Sequence, residues 1–241
     1  MAEHKLARFA EMETFEHVFH APFEVVKDSD FKMKSKWHEF FGNNNPIILE
    51  LGCGKGEYTV GLAEKYPQNN YIGVDVKGAR IWRGAKETLS KELKNVAFVR
   101  TRIDFIEKIF ANDEISEIWI TFPDPQKDKR RKRLTSPMFL ERYKQILKSN
   151  GIINLKTDSR VMYLYTRDLA KSNNYKILID TDDLYNTKGI SNDLEIRTFY
   201  EQIWLDEGKK IHYLKFELSS DTVKDAEITE AEIKELAGGI I

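Results

Sequence analysis

The spacing of apolar and polar positions changes character near residue 46. Before it, eight aromatic residues are scattered among charges with no clean period, and the turn-rich stretch 42–46 follows. After it, short apolar runs alternate with longer stretches of helical periodicity. The apolar runs predict strands near 47–51, 71–76, 96–100, 115–121, 151–156, 176–180 and 211–218, and the helical stretches predict helices near 57–66, 78–93, 104–112, 136–149 and 159–172.

This alternation predicts an α/β fold, with a Rossmann-like, seven-stranded and mostly parallel sheet that carries helices on both faces. The last run, 211–218, alternates apolar and polar residues, which favours a half-exposed antiparallel strand at the sheet edge. We expect residues 1–45 to form an N-terminal arm, an extended segment plus a short helix, that packs on the core. Residues 46–218 are expected to form the main domain, and residues 219–241 an acidic C-terminal helix or tail.

Composition narrows the compartment and the kind of partner. The 241 residues carry a net charge of only −1, so affinity for an anionic partner has to come from a local patch. Cys53 is the single cysteine, which excludes an intrachain disulfide and fits a reducing compartment. The N-terminus has no signal-peptide pattern and no apolar run approaches the length of a membrane span. We therefore expect a cytoplasmic protein that does not span a membrane.

The histidines argue against two kinds of chemistry in the main domain. No histidine lies between His38 and His212. A histidine-based metal site is therefore not expected there. The same gap leaves Cys53 without a base nearby in sequence, so we interpret this cysteine as a small buried loop residue and not as a nucleophile.

The first strand of the main domain leads into a glycine-rich loop with an acidic residue before it. Glu50 is followed by glycines at alternate positions, Gly52, Gly54 and Gly56. Glycines at a strand-to-helix turn let a ligand approach the main chain, as in dinucleotide-binding loops. The charge of Glu50 disfavours a pyrophosphate and favours a ligand with a cationic, amino-acid-like end. The loop therefore predicts S-adenosylmethionine, bound by Glu50, Gly52 and Gly54, over a nicotinamide dinucleotide.

Two further carboxylates follow the next strands. Asp75 ends the second strand, about twenty residues after the last glycine, which suits an acid that accepts both ribose hydroxyls of an adenosine. Asp104 follows the third strand and is either an acceptor for the adenine amino group or a helix cap. In the first case Phe105 could pack on the adenine ring. Ligands of open parallel sheets bind at the carboxyl ends of the strands, where these residues are predicted to lie.

The fourth strand ends in Phe-Pro-Asp-Pro, which holds Asp124 between two prolines that restrict the backbone. Residues 127–133 then contain six basic residues and one acid. In a chain of nearly zero net charge, this local patch favours contact with nucleic-acid phosphates through residues such as Arg130 and Arg131. The alternative is a solvated surface loop or a localisation-like signal.

Three segments together resemble the bacterial tRNA (guanine-N7-)-methyltransferases, over about residues 46–218. They are the Leu-Glu-Leu-Gly-Cys-Gly-Lys-Gly loop at 49–56, the Phe-Pro-Asp-Pro segment with its basic run, and Thr-Phe-Tyr-Glu at 198–201. The family uses S-adenosylmethionine to methylate a guanine at position 46, in the variable loop of tRNA. The resemblance therefore implies a methyltransferase domain at 46–218 and tRNA as the partner.

The resemblance also implies roles for individual residues. The cofactor-binding positions of the family correspond to Glu50, Asp75, Asp104 and Asp124, and Asp124 is in addition the catalytic residue. The substrate-binding positions correspond to a lysine of the basic run, taken as Lys129, and to Asp158, Thr198 and Glu201. The Thr-x-x-Glu spacing alone suits a helix capping box equally well.

The chain departs from the family pattern near these residues. Gln126 stands where the family usually has tryptophan, and the basic loop is slightly shorter. Lys127 and its neighbours therefore remain alternatives to Lys129. The stretch from Asn95 to Asp104 is slightly longer than usual, which leaves the register of Asp104 open.

Other functions remain open at this point. One is a methyltransferase that acts on a small molecule or a protein, for which the basic run would be incidental. Another is a non-catalytic RNA-binding domain that has kept the fold. A dehydrogenase is the least favoured, because Glu50 would repel a pyrophosphate. The sequence is compatible with a monomer or a homodimer.

Overall fold

The computed structural model describes residues 2–189, 192–219 and 221–238. Met1 of the predicted arm, residues 190 and 191, and Ser220 and residues 239–241 of the predicted C-terminal segment lie outside the described residues. In chain order the helices and strands are α1 (Ala2–Met12), β1 (Val18–His20), α2 (Phe23–Val26), α3 (Trp37–Phe41), β2 (Ile47–Leu51), α4 (Glu57–Lys65), β3 (Asn70–Asp75), α5 (Gly78–Ser90), β4 (Val96–Arg100), α6 (Ile106–Ile109), β5 (Ile115–Thr121), α7 (Pro137–Ile146), β6 (Leu147–Thr157), α8 (Arg160–Ser172), β7 (Ile177–Thr181), α9 (Phe199–Asp206), β8 (His212–Glu217) and α10 (Glu230–Leu236).

The described strands form one sheet of eight, in the order β1-β4-β3-β2-β5-β6-β8-β7. All neighbouring pairs from β1 to β6 are parallel, and β8 is antiparallel to both β6 and β7. The predicted α/β fold, its mostly parallel sheet and its antiparallel last strand are confirmed.

The structure differs from the prediction in two details of this sheet. It has an eighth strand, because β1 of the N-terminal arm pairs with β4. In addition, β8 lies inside the sheet between β6 and β7, so the edge position belongs to β7. The side chains of β7 alternate between half-buried and exposed up to Thr181, as an edge strand requires, whereas β8 is mostly buried.

The strands at the centre of the sheet are buried on both faces. All five residues of β2 are buried, because helices cover the sheet on its two sides. Side chains of a strand alternate between faces. Leu49 accordingly joins one apolar cluster, with Ile72 and Ile118, while Ile48 joins the other, with Phe98. This double burial explains why the sequence shows continuous apolar runs instead of alternation.

The N-terminal arm packs at the edge of the sheet formed by β1 and β4. Its helix α1 lies against α5, where the indole N–H of Trp82 donates to Glu11 at 2.7 Å. Trp37 of α3 is fully buried and donates to the carbonyl oxygen of Ile109 at 3.2 Å. These contacts agree with an arm that packs on the core, and the division of the chain into three parts stays a prediction. Among the described residues, no helix has both the length and the apolar character needed to cross a membrane.

Candidate active site

Five predicted site carboxylates lie at the carboxyl edge of the sheet, in the order of their strands. Asp104 follows β4, Asp75 ends β3, Glu50 lies in β2, Asp124 follows β5 and Asp158 follows β6. From β2 the chain adds β3 and β4 on one side of the sheet and then returns to add β5 and β6 on the other. The topological switch point, where the strand order reverses, therefore lies between β2 and β5. Ligands of open α/β sheets bind in the crevice at such a point. Glu50 and Asp124 flank that crevice.

Glu50 is only 4% exposed, and threonines hold both of its carboxylate oxygens. Oε1 accepts a hydrogen bond from the hydroxyl of Thr121 at 2.6 Å. Oε2 accepts from the backbone N–H of Thr59 at 2.9 Å and from the hydroxyl of the same residue. Thr59 lies in the first turn of α4, where a negative charge is favourable. The carboxylate is therefore fixed by β5 on one side and by α4 on the other.

The environment of Glu50 favours a cation beside it. Burial raises its pKa to about 7; the threonine hydrogen bonds oppose this rise, and the charge of Asp75 adds to it. A buried carboxylate without a positive partner is costly. An ammonium group bound next to Glu50 would lower the pKa again and stabilise the ionised form.

The glycine loop after β2 leaves open space in front of its backbone. Gly52 and Gly54 have φ values of +75° and +57°, a left-handed conformation that side chains disfavour. A Cβ added at Gly52 would meet no atom within 4 Å, and one at Gly54 would meet only the Gly52 oxygen, at 3.9 Å. A ligand can therefore approach the loop closely.

Asp75 closes the other side of this space. Its Oδ2 accepts from the N–H of Gly54 at 3.0 Å, and its Oδ1 from the N–H of Lys77 at 2.7 Å. These two bonds fix the orientation of the carboxylate. Each oxygen keeps further acceptor capacity, which suits a pair of hydroxyl donors.

A cavity of about 440 Å³ extends from Asp75 to Asp104 and has apolar walls that include Val76 and Ile103. Asp104 lies in a short 3-10 turn, Ile103–Phe105, where its Oδ2 is 3.2 Å from both Nε and Nη2 of Arg102. The N-cap residues of this turn and of α6 are Arg102 and Phe105, so Asp104 caps neither, which favours the ligand interpretation over the cap. Phe105 packs on Phe23, with 5.7 Å between the ring centroids, and is not among the residues that line the cavity. Ile103, and not Phe105, lines the cavity at this point.

A smaller cavity of about 80 Å³ adjoins the first at Gly52, which lines both. Its walls include Glu50, Thr121, Phe122 and Thr198. One end of the combined space thus offers two carboxylates between apolar walls, and the other offers a carboxylate that favours a cation. These residues fit a ligand with an adenosine at one end and an amino acid at the other.

Asp124 is exposed in the loop that leaves β5, and the loop is tightly folded around it. Its Oδ1 accepts from the backbone N–H of Gln126 at 2.9 Å. Phe122 and Gln126, on either side, have φ values of +49° and +46°, which non-glycine residues adopt rarely. The N–H of Phe122 donates to the carbonyl oxygen of Lys156 at 2.8 Å and so ties the loop to β6. Asp124 is thereby held close to Phe122, which lines the smaller cavity.

The basic run divides into an inward and an outward set. Arg130 donates to Asp225 at 3.1 Å and to two backbone carbonyls of the C-terminal segment. Arg133 is fully buried and binds both carboxylate oxygens of Glu230 at 2.8 Å each. The guanidinium of Arg130, a predicted phosphate contact, is therefore already bound by the C-terminal segment. The outward set consists of Lys127, Lys129, Arg131 and Lys132, all exposed.

Thr198 and Glu201 form a capping box at the start of α9. The Thr198 hydroxyl accepts from the Glu201 N–H at 3.2 Å, and Glu201 Oε2 accepts from the Thr198 N–H at 3.3 Å. Glu201 is fully buried, pairs with Lys156 Nζ at 2.8 Å and accepts from the hydroxyl of Tyr185 at 2.6 Å. The structure thus brings Thr198 to the smaller cavity and keeps Glu201 behind it.

Asp158 lies at the margin of the site. It is half-buried just beyond β6, one strand further from the switch point than Asp124. Burial raises the pKa of its carboxyl. Neither of the two cavities includes it among its lining residues.

Cys53 is buried within the glycine loop and forms no disulfide. Burial raises the pKa of its thiol well above the usual value, and the charges of Glu50 and Asp75 add to the rise. The thiol is therefore protonated at neutral pH, which agrees with a packing role. Within the described residues, no group of three or more His, Cys, Asp or Glu side chains is placed to hold a metal ion.

Comparison with known proteins matches residues 44–214 to a family described as a putative methyltransferase. The tRNA (guanine-N(7)-)-methyltransferase of Bacteroides thetaiotaomicron is 50% identical to this protein, over 97% of this chain and 93% of its own. The enzyme of the same name from Christiangramia forsetii is 52% identical, over 90% of this chain and 99% of its own. The chain belongs to the tRNA (guanine-N7-)-methyltransferase family. The family that the three sequence motifs indicated is confirmed, and a dehydrogenase is excluded.

Solved structures of other methyltransferases resemble this tRNA (guanine-N7-)-methyltransferase family member in fold. The 16S rRNA methyltransferase KamB has a TM-score of 0.59 at 12% identity, over 77% of this chain and 93% of that chain. An antibiotic-related methyltransferase has a TM-score of 0.57 at 17% identity, over 79% of this chain and 96% of that chain. At such identities the likeness shows a shared fold alone.

The motifs of the tRNA (guanine-N7-)-methyltransferase family do not reveal the residues that support the carboxylates. Thr121 could have been found, because it is a polar residue at the end of a predicted strand, like Asp75. Thr59 carries no such signal, since only the packing of α4 on β2 brings it to Glu50. Lys156 carries a signal that was not used: a lysine inside an apolar strand run needs a buried acidic partner.

Proposed function

We propose that this protein transfers the methyl group of S-adenosylmethionine to N7 of a guanine in tRNA. The observation that carries the proposal is the position of Asp124 close to a cavity built around Glu50, at the switch point of the sheet. The buried carboxylate of Glu50 favours a cation, which supports a cofactor with an ammonium group. The exposed carboxylate of Asp124 close to it can accept hydrogen bonds, which supports a nucleobase as the methyl acceptor. Relatives about half identical in sequence bear the name of this reaction.

The residues of the two cavities would hold the cofactor as follows. Glu50 Oε1 accepts one hydrogen bond from Thr121 and can accept another from the ammonium group. Asp75 accepts from the ribose hydroxyls, and Asp104 accepts from the adenine amino group. Gly52 and Gly54 leave the room that the ligand needs in front of the loop. The bound cofactor supplies a methyl group on a positively charged sulfur.

Guanine N7 carries an in-plane lone pair and no proton at neutral pH. The protein therefore needs no base to free this nucleophile, and its task is to align N7 with the methyl group and to tolerate the positive charge that grows on the ring. Asp124 suits both needs, because its Oδ1 is fixed by Gln126 while Oδ2 can accept from the N1–H and 2-amino groups of guanine. Asp158, on the next strand, can assist from the margin.

The tRNA is bound by the outward basic set and by the start of α9. Lys129 and Arg131 represent the outward set, whose exposed charges can contact phosphates. Thr198 reaches the cavity directly. Glu201 acts through Thr198, because it is fully buried and engaged in the capping box. The target guanine has to leave its stack to reach Asp124. A tRNA acceptor also fits the cytoplasmic location predicted from the sequence.

Transfer of labelled methyl groups tests the acceptor class. The protein is incubated with methyl-labelled S-adenosylmethionine and, in parallel, with bulk tRNA, ribosomal RNA, protein extract and small-molecule extract. We expect label in tRNA alone. Label in protein or in small molecules would instead support the methyltransferase with another acceptor. No transfer, together with no binding of S-adenosylhomocysteine in calorimetry, would support a non-catalytic RNA-binding domain.

A further inference from the structure

The C-terminal segment is bound to the loop that carries Asp124. Arg133, at the end of that loop, is fully buried and forms a two-fold hydrogen-bonded ion pair with Glu230, the first residue of α10. Its guanidinium also lies over the ring of Tyr165, 4.6 Å from the centroid. Two parallel N–H···O bonds to a carboxylate fix both the position and the orientation of a guanidinium. Glu230 therefore determines where Arg133 points.

A third N–H donor of Arg133 reaches back to the residue after Asp124. Its Nε donates to the carbonyl oxygen of Pro125 at 3.1 Å. This carbonyl belongs to the same peptide group as the N–H of Gln126, which donates to Asp124 Oδ1 at 2.9 Å. Because a peptide group is planar, fixing its oxygen also fixes the direction of its N–H. Arg133 thus controls the hydrogen bond that orients the carboxylate of Asp124.

The backbone at Gln126 shows why this peptide needs to be held. Gln126 has a φ of +46°, a left-handed conformation that is unfavourable for a residue with a side chain. Turning the peptide between Pro125 and Gln126 over would take φ of Gln126 out of this region. The same rotation would point the N–H away from Asp124. The bond from Arg133 to Pro125 opposes that rotation.

We propose that Glu230 and Arg133 are positioning residues for Asp124 and act through the peptide group between Pro125 and Gln126. The inference rests on the proposed function, because it takes Asp124 as the residue that contacts the guanine. It assigns the acidic C-terminal segment a part in methyl transfer. It also separates Arg133 from the outward basic set, which contacts tRNA.

The first test compares Glu230→Ala with Glu235→Ala, an exposed residue of the same helix. We expect Glu230→Ala to lower kcat for tRNA methylation about tenfold, with KM for tRNA and affinity for S-adenosylhomocysteine within twofold of the wild type. Glu235→Ala should match the wild type in all three. Unchanged kcat in Glu230→Ala would overturn the inference. So would a lower kcat together with a higher KM for tRNA and a weaker cofactor affinity, because these three changes together indicate general damage to the fold.

A rescue variant gives a readout that a merely structural contact would not produce. Glycine accepts a positive φ freely, so Gln126→Gly removes the strain that favours rotation of the peptide. We expect Gln126→Gly combined with Glu230→Ala to recover several-fold in kcat over Glu230→Ala alone. Strict additivity of the two changes, measured against each single variant, would contradict the relay.

The relay is also measurable without tRNA. Water-exchange NMR of the Gln126 amide should show faster exchange in Glu230→Ala than in the wild type or in Glu235→Ala, because the bond to Asp124 is released. An unchanged exchange rate overturns the relay whatever the activity. Faster exchange in a protein whose wild type does not methylate tRNA would instead retain the relay and refute the proposed function.

Discussion

Replacing Glu50 with glutamine is expected to stabilise the protein without cofactor and to weaken cofactor binding at the same time. Glutamine keeps the size of the side chain. The side-chain carbonyl of glutamine can accept from Thr59, and its side-chain amide NH2 can donate to the hydroxyl oxygen of Thr121, so the present hydrogen bonds are replaced. The substitution therefore removes the buried charge with little change in packing.

The size of the stability effect follows from the pKa of Glu50. Burial raises this pKa from 4.5 to about 7. The rise of about 2.5 corresponds to roughly 3 kcal/mol. A carboxyl whose folded pKa is raised contributes stability below its unfolded pKa of 4.5, and that contribution is lost as the pH rises through 7. Glutamine does not titrate. We therefore expect Glu50→Gln to be about 3 kcal/mol more stable than the wild type at pH 8 and nearly equal to it at pH 4.

The effect on cofactor binding has the opposite sign. A hydrogen bond between a carboxylate and an ammonium group contributes about 1.5–3 kcal/mol, so its loss should weaken binding of S-adenosylhomocysteine about 10- to 100-fold. Wild-type affinity should rise with pH as Glu50 ionises, near its pKa of about 7. The affinity of Glu50→Gln should lack this dependence.

Urea unfolding of the cofactor-free protein at pH 4 and pH 8 measures the stability, and calorimetric titration with S-adenosylhomocysteine measures the affinity. Glu24→Gln, at an exposed position of α2, is the matched control and should change neither quantity. Two results would refute the reasoning. One is equal stability of Glu50→Gln and wild type at pH 8, which means that the buried carboxylate costs nothing. The other is unchanged affinity, which means that Glu50 does not bind the ammonium group.

Three other variants separate chemistry, tRNA binding and folding. Asp124→Asn should lower kcat for tRNA methylation by about 100-fold and leave the calorimetric affinity for S-adenosylhomocysteine within a few-fold; full activity would remove Asp124 from the reaction. Lys129→Ala combined with Arg131→Ala should weaken tRNA binding in filter assays and reduce its salt slope by about 1 to 2, because two phosphate contacts are lost; an unchanged slope means that neither side chain contacts phosphate. Lys156→Met leaves Glu201 buried without its cation, so urea unfolding should show a loss of about 3–5 kcal/mol, and a loss below about 1 kcal/mol would contradict the buried pair.

The features that sequence reasoning predicted are those that local patterns determine. The central strands are short apolar runs because both of their faces are covered, and their order along the chain suffices for a parallel α/β sheet. Glu50 lies one residue before the end of β2 and Asp75 ends β3, so their meeting at one edge follows from the fold class. The antiparallel β8 shows the limit of the same reasoning. Its alternation indicated an edge strand, but β7 pairs along its other side.

The features that sequence reasoning missed depend on contacts between distant parts of the chain. Within the basic run, Arg130 and Arg133 look the same as their neighbours. Only the return of the C-terminal segment, 95 and 97 residues later in sequence, places Asp225 and Glu230 against them. The three residues of β1 are likewise too few to show a period, and their pairing with β4 makes them a strand. The resemblance assigns Glu201 to the substrate, whereas in the structure it is buried and paired with Lys156 on β6.

The central claim is that the methyl group goes to guanine N7 in tRNA, and mass spectrometry of nucleosides tests it most directly. Unmodified tRNA is incubated with the protein and S-adenosylmethionine, digested to nucleosides and compared with tRNA incubated without protein. We expect 7-methylguanosine as the new nucleoside, formed by the wild type and almost absent with Asp124→Asn. A methyl group on another atom of guanine, on another base, or no new nucleoside at all would contradict the claim.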